Sequence, residues 1–327
     1  MTETGTETGN TGTAPGEARE TTTADARETR AEGGRVVVVG DALIDEMREP
    51  DSLREFPGGA ALNVAVGLSV LGVPATLIAM VGDDADGAVL RDFLAVHDVE
   101  LISTPGPFGS SRATSDRTDG EPRYAFNEAA QKRRIDFGPR ERAALDAAPL
   151  VVVSCFPFDD TEQTDDFLAA VGDGEHRLVI DPNPRAGMLH DKSLFVRNFE
   201  RAAARSLLTK VGDEDAELLY GSTLEELRER LVASGTHHVL ATAGRAGASI
   251  ETDDGLLVSE PIAPLPGAVV DTMGGGDATL ASSVQSFLTE GVPTDAAGWQ
   301  HLLASAMRIA AVTCRSEGAL LRVPPAL

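Results

Sequence analysis

Residues 271–277 (DTMGGGD) carry the groups best suited to chemistry in this sequence, three glycines followed at once by an aspartate. Glycine amides approach an anion without interference from a Cβ atom, and the start of a helix adds a positive dipole end. Gly274, Gly275 and Gly276 are therefore candidates for a phosphate-binding anion hole. Beside it, Asp277 is suited to accept the proton of a hydroxyl that attacks a phosphoryl group. A glycine-rich turn before an ordinary helix fits the same residues.

A second glycine pair precedes a stretch of small and apolar residues that predicts a buried helix. Gly58 and Gly59 stand before this stretch, and Asn63 is the one hydrogen-bonding side chain in its first turns. An amide side chain donates and accepts at once, which suits the neighbouring hydroxyls of a sugar. A close-packed helix with a capping asparagine explains the same pattern, so both interpretations stay open.

Further candidates follow other predicted strands, whose carboxyl ends bind ligands in parallel sheets. Asp45 comes just after the first strand, where a carboxylate can accept hydrogen bonds from two adjacent hydroxyls. Arg185 ends residues 181–185 (DPNPR) and offers a forked donor to phosphate. An ordinary turn explains each of these residues equally well, and it also explains the glycine-bearing segment 242–247.

Several well-known sites are missing from the sequence. It has no Gly-x-x-x-x-Gly-Lys-Ser/Thr segment, no Gly-x-Gly-x-x-Gly fingerprint after the opening strand and no Gly-x-Ser-x-Gly elbow. These absences argue against a Walker-type nucleotide binder, a Rossmann-type oxidoreductase and an α/β-hydrolase. The six histidines show no metal-ligand spacing.

The elements that must position these residues alternate between strands and helices. Apolar runs typical of buried parallel strands occur at residues 36–39, 76–81, 150–154, 178–180, 206–208 and 238–241. Stretches of helical composition lie at residues 63–71, 83–96, 160–171, 224–233 and 278–288. This alternation predicts an α/β fold in which a mostly parallel sheet has helices on both faces.

Two segments interrupt the alternation. Residues 110–126 predict two short strands around Asp119-Gly120, a strong hairpin signal, whereas residues 46–56 are charged and irregular. Two such insertions early in an α/β chain are expected to pair as a small sheet. A sheet of this kind is well placed to act as a flap over a site at the strand ends.

The first 34 residues differ in composition from the rest, because Thr, Glu, Gly and Ala dominate them. Such a segment buries too little apolar surface to offset its ordering entropy. Residues 1–34 are therefore predicted to be a disordered acidic tail, and residues 35–327 to be the folded domain.

Composition also limits the partners and the location of the protein. The 28 basic and 52 acidic residues give a formal net charge of −24, which argues against nucleic acid as a partner. No apolar run reaches the roughly 18 to 20 residues of a membrane span, and the N-terminus has no signal-peptide core. Cys155 and Cys314 are expected to be reduced core thiols. These features predict a soluble, cytoplasmic protein without a membrane partner.

The order of these motifs resembles that of the ribokinase-like (PfkB-type) carbohydrate kinases, over residues 35–323. The glycine pair with Asn63 is similar to the first signature of that family, and residues 271–277 are similar to its second. Residues 40–45 (GDALID) and 181–185 resemble segments of its fructokinase branch. The resemblance implies a three-layer α/β/α sandwich with a mostly parallel central sheet and a small β-sheet lid.

That resemblance also implies ATP-dependent phosphorylation of a sugar hydroxyl and assigns roles by position. Asp277 is the base, beside the anion hole of the three glycines. The implied sugar-binding residues are Asp45, Gly58, Gly59 and Asn63, and the residues implied to border the nucleotide are Asn183, Arg185, Thr242, Gly244 and Gly247. The lid segments are expected near residues 46–57 and 108–127, and lids in related kinases often pair between subunits, which implies a homodimer.

The implied cofactors are ATP and Mg²⁺, with activation by K⁺ near Asp271 and Gly318 as a further expectation. The Asn-x-x-Glu segment of the family corresponds to residues 212–215 (GDED) in this chain. Asp215, one methylene shorter than glutamate, is therefore the candidate magnesium residue, since Mg²⁺ is commonly held through water.

Fructose is the first choice of acceptor, and ribose, 2-keto-3-deoxygluconate, a nucleoside and a sugar phosphate are alternatives. A sugar phosphate needs extra cationic side chains, which Arg112 or Arg123 would have to provide. The departures at residues 212 and 215 leave one alternative of a different class, a non-catalytic regulator that binds a sugar or nucleotide on the same fold. The intact glycine run and Asp277 argue against that alternative, because a binding module needs no base.

Overall fold

The computed structural model describes residues 1–2, 34–116, 123–172 and 177–324. Most of the predicted acidic tail therefore lies outside the described residues, and so does the predicted Asp119-Gly120 turn. Residues Gly34–Leu327 form one compact unit.

Strands and helices alternate along most of this unit. In chain order the described strands are β1 (Val36–Gly40), β2 (Leu43–Glu49), β3 (Ser52–Gly58), β4 (Ala75–Val81), β5 (Glu100–Pro105), β6 (Ser111–Asp116), β7 (Arg123–Phe126), β8 (Val151–Ser154), β9 (Leu178–Asp181), β10 (Leu208–Gly212), β11 (His238–Thr242), β12 (Ala248–Thr252) and β13 (Leu257–Glu260). The α-helices are α1 (Ala60–Val70), α2 (Ala85–Val96), α3 (Glu128–Gln131), α4 (Pro139–Ala147), α5 (Thr161–Val171), α6 (Lys192–Ala203), α7 (Asp213–Asp215), α8 (Leu224–Ala233), α9 (Gly275–Glu290) and α10 (Ala296–Thr313).

Nine of the described strands form the central sheet in the order β13-β12-β11-β10-β9-β8-β1-β4-β5. Pairing is parallel from β5 through β11, and the last two strands, β12 and β13, add antiparallel edges. The parallel strands therefore present their carboxyl ends along one edge of the sheet. In such sheets this edge binds ligands.

The two faces of the central sheet are covered by different helices. Successive valines of β1 point to opposite faces, so each face needs its own apolar cover. Val36 and Val38 pack with the apolar residues of α1, α2, α9 and α10, whereas Val37 and Val39 pack with those of α4, α5, α6 and α8. Both faces of the strand are thus buried, which is why four consecutive valines are favourable there. The predicted three-layer α/β/α sandwich is confirmed.

The two insertions form a second sheet of four described strands in the order β3-β2-β6-β7, called here the lid sheet. Its outer pairs are antiparallel, and β2 and β6 pair in parallel. The small sheet is thus confirmed. The interpretation of residues 46–56 as irregular was wrong, because β2 and β3 pair as a regular antiparallel hairpin through this segment. The charged side chains of β3 are exposed to solvent, which is compatible with a strand.

One predicted strand is displaced along the chain. The apolar run at residues 206–208 overlaps β10 only at Leu208, because the strand continues through Thr209, Lys210 and Val211 to Gly212. A lysine is unexpected in a buried strand, and its presence there is explained by its partner in the adjacent strand, described below. Among the described residues, no helix is both long and apolar enough to cross a membrane.

Candidate active site

The glycine run opens helix α9 at the carboxyl-end edge of the sheet. Gly274 has φ +73°, and a Cβ atom there would lie 1.9 Å from the carbonyl oxygen of Ala319. The Ala278 amide donates to the Gly274 carbonyl (2.8 Å), and the Gly275 amide donates to the Thr272 carbonyl (3.3 Å). The Gly275 amide is thus engaged in a turn, whereas the amides of Gly276 and Asp277 have no described backbone acceptor. Free amides at the start of an α-helix can receive an anion.

Asp277 lies in the first turn of α9 and contacts the predicted sugar-binding asparagine. The side-chain Nδ2 of Asn63 donates to Asp277 Oδ2 at 2.9 Å, which joins helix α1 to helix α9. Both residues are buried, and the Oδ1 atom of Asn63 has no described hydrogen-bond partner. A buried acceptor without a partner is costly, and a ligand hydroxyl would satisfy it.

The electrostatics of Asp277 suit a proton acceptor. Burial, together with the nearby Asp181 carboxylate, raises its pKa to about 6, although Lys210, Asn63 and Arg185 act in the opposite direction. A base works best with a pKa near the working pH, because it is then ionised and still basic enough to take a proton.

Asp45, the second predicted carboxylate, lies over the glycine pair. A Cβ atom on Gly58 would lie 2.0 Å from Asp45 Oδ2, so glycine is required there for the carboxylate to approach the backbone. Burial and the charges of Asp41 and Asp277 raise the pKa of Asp45 to about 7, with Arg185 opposing them. The structure thus brings Asp45, Gly58, Asn63 and Asp277 together on one side of the sheet edge.

Asp41 holds the start of helix α1, a role that the sequence analysis did not assign. Its Oδ1 accepts from the Ala61 amide (3.0 Å), and its carbonyl accepts from the Leu62 amide (3.2 Å). Gly59, the residue before the helix, has φ +106° and packs against the Asp41 carbonyl. Asp41 thereby fixes the helix that carries Asn63.

A buried ion pair lies between the ends of β9 and β10. Lys210 Nζ donates to Asp181 Oδ2 at 2.9 Å, and the other oxygen of Asp181 has no described partner. The Asp215 carboxylate beside them accepts from the Gly212 amide at 2.7 Å. Burial raises the pKa of Asp215 to about 6, although Lys210 opposes this. No motif in the sequence points to a role for Lys210, a lysine next to an apolar run.

The residues predicted to border the nucleotide lie along the same edge of the sheet. Asn183, with φ +38°, follows β9, and Arg185 lies close enough to Asp277 and Asp41 for their charges to raise its pKa against the effect of burial. Thr242 is the partner of Gly212 in the β10–β11 register. Gly244 and Gly247 form the turn after β11, where both have positive φ. No described contact joins Gly244 or Gly247 to Asp277.

The two cysteines differ in their surroundings. Cys155 is a free, buried core thiol as expected; it packs in an apolar cluster with Ala60, Ala130 and Met188, and its thiol also contacts the Asp41 carboxylate. Cys314 is free but only half-buried, so the expectation of a core position was wrong for this residue.

Arg112, a candidate cation for a phosphorylated sugar, is occupied by carboxylates. It pairs with Asp86 of helix α2 (2.7 Å) and with two acids of the lid sheet, Glu46 (3.0 Å) and Glu55. The side chain of Arg123, the other candidate cation, lies outside the described part of the structure. Arg112 therefore ties the lid sheet to the main body instead of offering a free cation.

Comparisons with known proteins agree with this architecture. A fructokinase of Salmonella typhimurium is 26% identical over 302 residues, which cover 89% of this chain and 96% of the relative. A fructokinase of Rhizobium leguminosarum bv. trifolii is 29% identical over 277 residues, which cover 79% and 81%.

Solved structures share the fold at lower identity. A fructokinase of Xylella fastidiosa with bound ATP has a TM-score of 0.72 at 20% identity and covers 87% of this chain and 93% of its own. An aminoimidazole riboside kinase of Salmonella enterica, complexed with aminoimidazole riboside and an ATP analogue, has a TM-score of 0.69 at 23% identity, with 88% and 95% coverage. The sequence model described as pfkB family carbohydrate kinase matches residues 34–325. With nearly the whole described chain inside that match, the protein belongs to the pfkB family of carbohydrate kinases.

Proposed function

We propose that this chain transfers the γ-phosphoryl group of ATP to a hydroxyl of a free sugar, with fructose as the first candidate. The observation that carries the proposal is the Asn63–Asp277 hydrogen bond (2.9 Å) beside the glycine-opened start of helix α9. It combines a buried base, an unpartnered acceptor for a ligand hydroxyl and backbone amides for an anion. A phosphoryl-transfer enzyme needs these three groups within one site.

The acceptor sugar is held on the side of Asp45, Gly58, Gly59 and Asn63. Asp45 accepts hydrogen bonds from its hydroxyls, and the glycines let the sugar approach the backbone. Asp277 takes the proton of the attacking hydroxyl as its oxygen approaches the γ-phosphorus. The lid sheet, tied to helix α2 through Arg112, excludes the water that would otherwise accept the phosphoryl group.

ATP lies on the side of the residues that follow β9, β10 and β11. Gly274, Gly275 and Gly276 receive the transferring phosphoryl group, and Arg185 donates to its phosphates. Asn183, Thr242, Gly244 and Gly247 border the nucleotide. The solved fructokinase of Xylella fastidiosa binds ATP on the same fold, which supports this arrangement.

Mg²⁺ fits the carboxylates beside the phosphate end of this site. In the described ranges, no group of three or more His, Cys, Asp or Glu side chains is placed to enclose a metal ion alone. Mg²⁺ instead is commonly bound through one or two carboxylates together with water and substrate phosphates. The unpartnered Oδ1 of Asp181 and the carboxylate of Asp215 match that donor set. When bound, Mg²⁺ neutralises phosphate charge.

The proposal has three further parts, which concern K⁺, the oligomeric state and the location of the protein. Activation by K⁺ is supported by the contact between the Asp271 loop and the segment that follows helix α10, where the Asp271 amide donates to the Cys314 carbonyl. Dimerisation through the lid sheet is proposed from the family resemblance. A cytoplasmic location is proposed because the two free cysteines fit a reducing compartment.

An unphosphorylated acceptor is favoured over a sugar phosphate. Asp41, Asp45 and Asp277 make the acceptor side acidic, and Arg112 is neutralised by Asp86, Glu46 and Glu55. A second phosphate would meet these three carboxylates, and the arginines close to them, Arg133 and Arg185, already interact with Asp41.

The experiment that tests the proposal is an ADP-release assay with Mg-ATP and a panel of acceptors. The panel contains fructose, ribose, 2-keto-3-deoxygluconate, a nucleoside and fructose 6-phosphate. Release with fructose well above the acceptor-free rate is the expected result. If ADP is released with only one other compound of the panel, that compound is the acceptor and fructose is not. No release with any acceptor, despite measurable binding of ATP and a sugar, would favour the non-catalytic regulator.

The pKa of Asp277 predicts how activity depends on pH. Because that pKa is raised to about 6, the base becomes protonated as the pH falls through 6 and can no longer accept a proton. We expect kcat/KM for the sugar to fall about tenfold per pH unit below that point, measured at saturating Mg-ATP. Asp45→Asn is the matched control. If Asp277 causes the fall of kcat/KM at low pH, this fall still occurs near pH 6 in Asp45→Asn. A profile that is flat down to pH 5 would contradict the assignment.

A further inference from the structure

Lys210 occupies an unusual position for a side chain of a buried parallel strand. It is one of only three lysines in the chain, with Lys132 and Lys192, and its side chain is 8% exposed. Its ammonium is held by Asp181 of the neighbouring strand, whose side chain is fully buried. A buried ion pair is not by itself strong evidence for a role in stability, because desolvation offsets much of the attraction. Its position relative to helix α9 is more informative.

The ammonium lies against the glycine run. A Cβ atom on Gly276 would lie 3.0 Å from Lys210 Nζ and 3.3 Å from Cε. Gly276 itself is an ordinary helical residue without a positive φ, so its backbone conformation does not require glycine. The close approach of Lys210 is what makes a side chain tight at this position, since the ammonium would have to move by a few tenths of an ångström to admit one.

The ammonium of Lys210 lies among carboxylates at the start of helix α9. Asp181 holds it at 2.9 Å, and Asp215 and Asp277 are close enough to interact with it electrostatically. The side chain therefore places a positive charge beside the start of helix α9. A fixed charge in a site with little water stabilises a developing anion strongly, since no solvent has to reorganise.

We propose that Lys210 is a catalytic residue whose ammonium, positioned by Asp181 and admitted by Gly276, contacts the γ-phosphoryl oxygens of ATP during transfer. The inference rests on the proposed kinase function and adds a side-chain cation to an anion hole otherwise made of backbone amides. Lys210 acts on a group that ATP has and ADP lacks. Its contribution is therefore expected in the affinity for ATP and in kcat, and not in the affinity for ADP.

The test uses a variant that removes the ion pair as a unit. Lys210→Met alone would leave the Asp181 carboxylate buried without a partner, so it is combined with Asp181→Asn to avoid an uncompensated charge. Because Asp181 is also a proposed Mg²⁺ residue, Asp181→Asn alone is measured beside the double variant, and only the additional loss in the double variant is assigned to Lys210. Lys192→Met, at an exposed lysine, is the matched control. For the double variant we expect kcat to fall about 10²-fold or more, as on loss of one oxyanion donor, with the KM for the sugar changed less than threefold.

A binding measurement without any acceptor separates this inference from the proposed reaction. Calorimetric titration is expected to show weaker binding of Mg-ATP to the double variant than to the wild type, and ADP affinity within threefold. An equal loss of affinity for ATP and for ADP, or a kcat within threefold of wild type, would overturn the role of Lys210. Failure of the wild type to phosphorylate any acceptor would instead overturn the proposed function, whatever the titrations show.

A second variant keeps the test decisive if the double variant does not fold. Gly276→Ala places a methyl group against the ammonium and displaces it without removing the charge. We expect this variant to lose part of its preference for ATP over ADP in the same titration. An unchanged preference in a folded Gly276→Ala protein would count against the contact.

Discussion

Asp277→Asn is expected to lose between about 10² and 10⁴ in kcat while the protein keeps its fold and its affinity for ADP. Asparagine has nearly the same shape and can still accept the hydrogen bond from Asn63 Nδ2 through its amide oxygen. It cannot take a proton from the attacking hydroxyl. The measurement is steady-state ADP release with fructose, accompanied by calorimetric titration of ADP.

Thermal unfolding provides an independent check on the same variant. The pKa of Asp277 is raised in the folded state, so its ionised form opposes folding, and this cost grows as the pH rises from its unfolded pKa to about 6. Asp277→Asn should therefore unfold at a higher temperature than wild type at pH 8, and the difference should shrink towards pH 4. Asp295→Asn, at the helix cap of α10, is the control with no expected effect on kcat. Near-normal turnover in Asp277→Asn would eliminate this residue as the base.

Much of the fold follows from the sequence because both faces of a parallel strand are buried. The four valines of β1 and the small residues of helix α1 leave no polar face, and such segments form the inside of an α/β sandwich. The lid sheet was harder to predict. Its strands have an exposed face, so charged residues such as those of β3 carry little of the apolar pattern that identifies a strand.

The candidate site was predictable where glycine and polar residues stand together in an otherwise apolar context. Residues 58–63 and 271–277 stood out for this reason, and the structure joins them through the Asn63–Asp277 hydrogen bond. Lys210 was missed because its partner is remote in the sequence. Asp181 lies 29 residues earlier, and only the parallel pairing of β9 with β10 places the two side chains together.

Local geometry also makes the proposed binding of polyanionic ATP compatible with a formal net charge of −24. The groups proposed to bind the phosphates are the amides at the start of helix α9, Arg185 and the buried Lys210. Buried or backbone donors act at short range in a site with little water. Repulsion between ATP and the acidic side chains of the outer surface is screened by salt and is therefore weaker. The excess acid on the surface then favours solubility without opposing the binding of nucleotide.

Gly274→Ala is expected to lower kcat/KM for ATP by at least about 10²-fold, because the backbone of the anion hole cannot keep its shape with a side chain there. The φ of Gly274 is +73°, and an added Cβ would lie 1.9 Å from the carbonyl oxygen of Ala319. That oxygen belongs to the backbone, so the start of helix α9 must shift away from it. A shift of this size moves the amides away from the phosphoryl group, and oxyanion donors lose their effect when misplaced.

Gly221→Ala separates the effect of the contact from the effect of the backbone angle. Gly221 also has a left-handed conformation (φ +62°), but a Cβ there meets nothing within 4 Å. We expect Gly221→Ala to lose only about 1 kcal/mol of stability, the usual cost of placing alanine in this region, and to keep full activity. Steady-state kinetics and thermal unfolding of both variants provide the comparison. If Gly274→Ala and Gly221→Ala lost the same stability and both remained active, the start of helix α9 would not be the phosphate site. The opposite result is a loss of activity in Gly274→Ala alone, seen as a lower affinity for ATP and a lower kcat. The backbone at Gly274 would then align the phosphoryl group with Asp277.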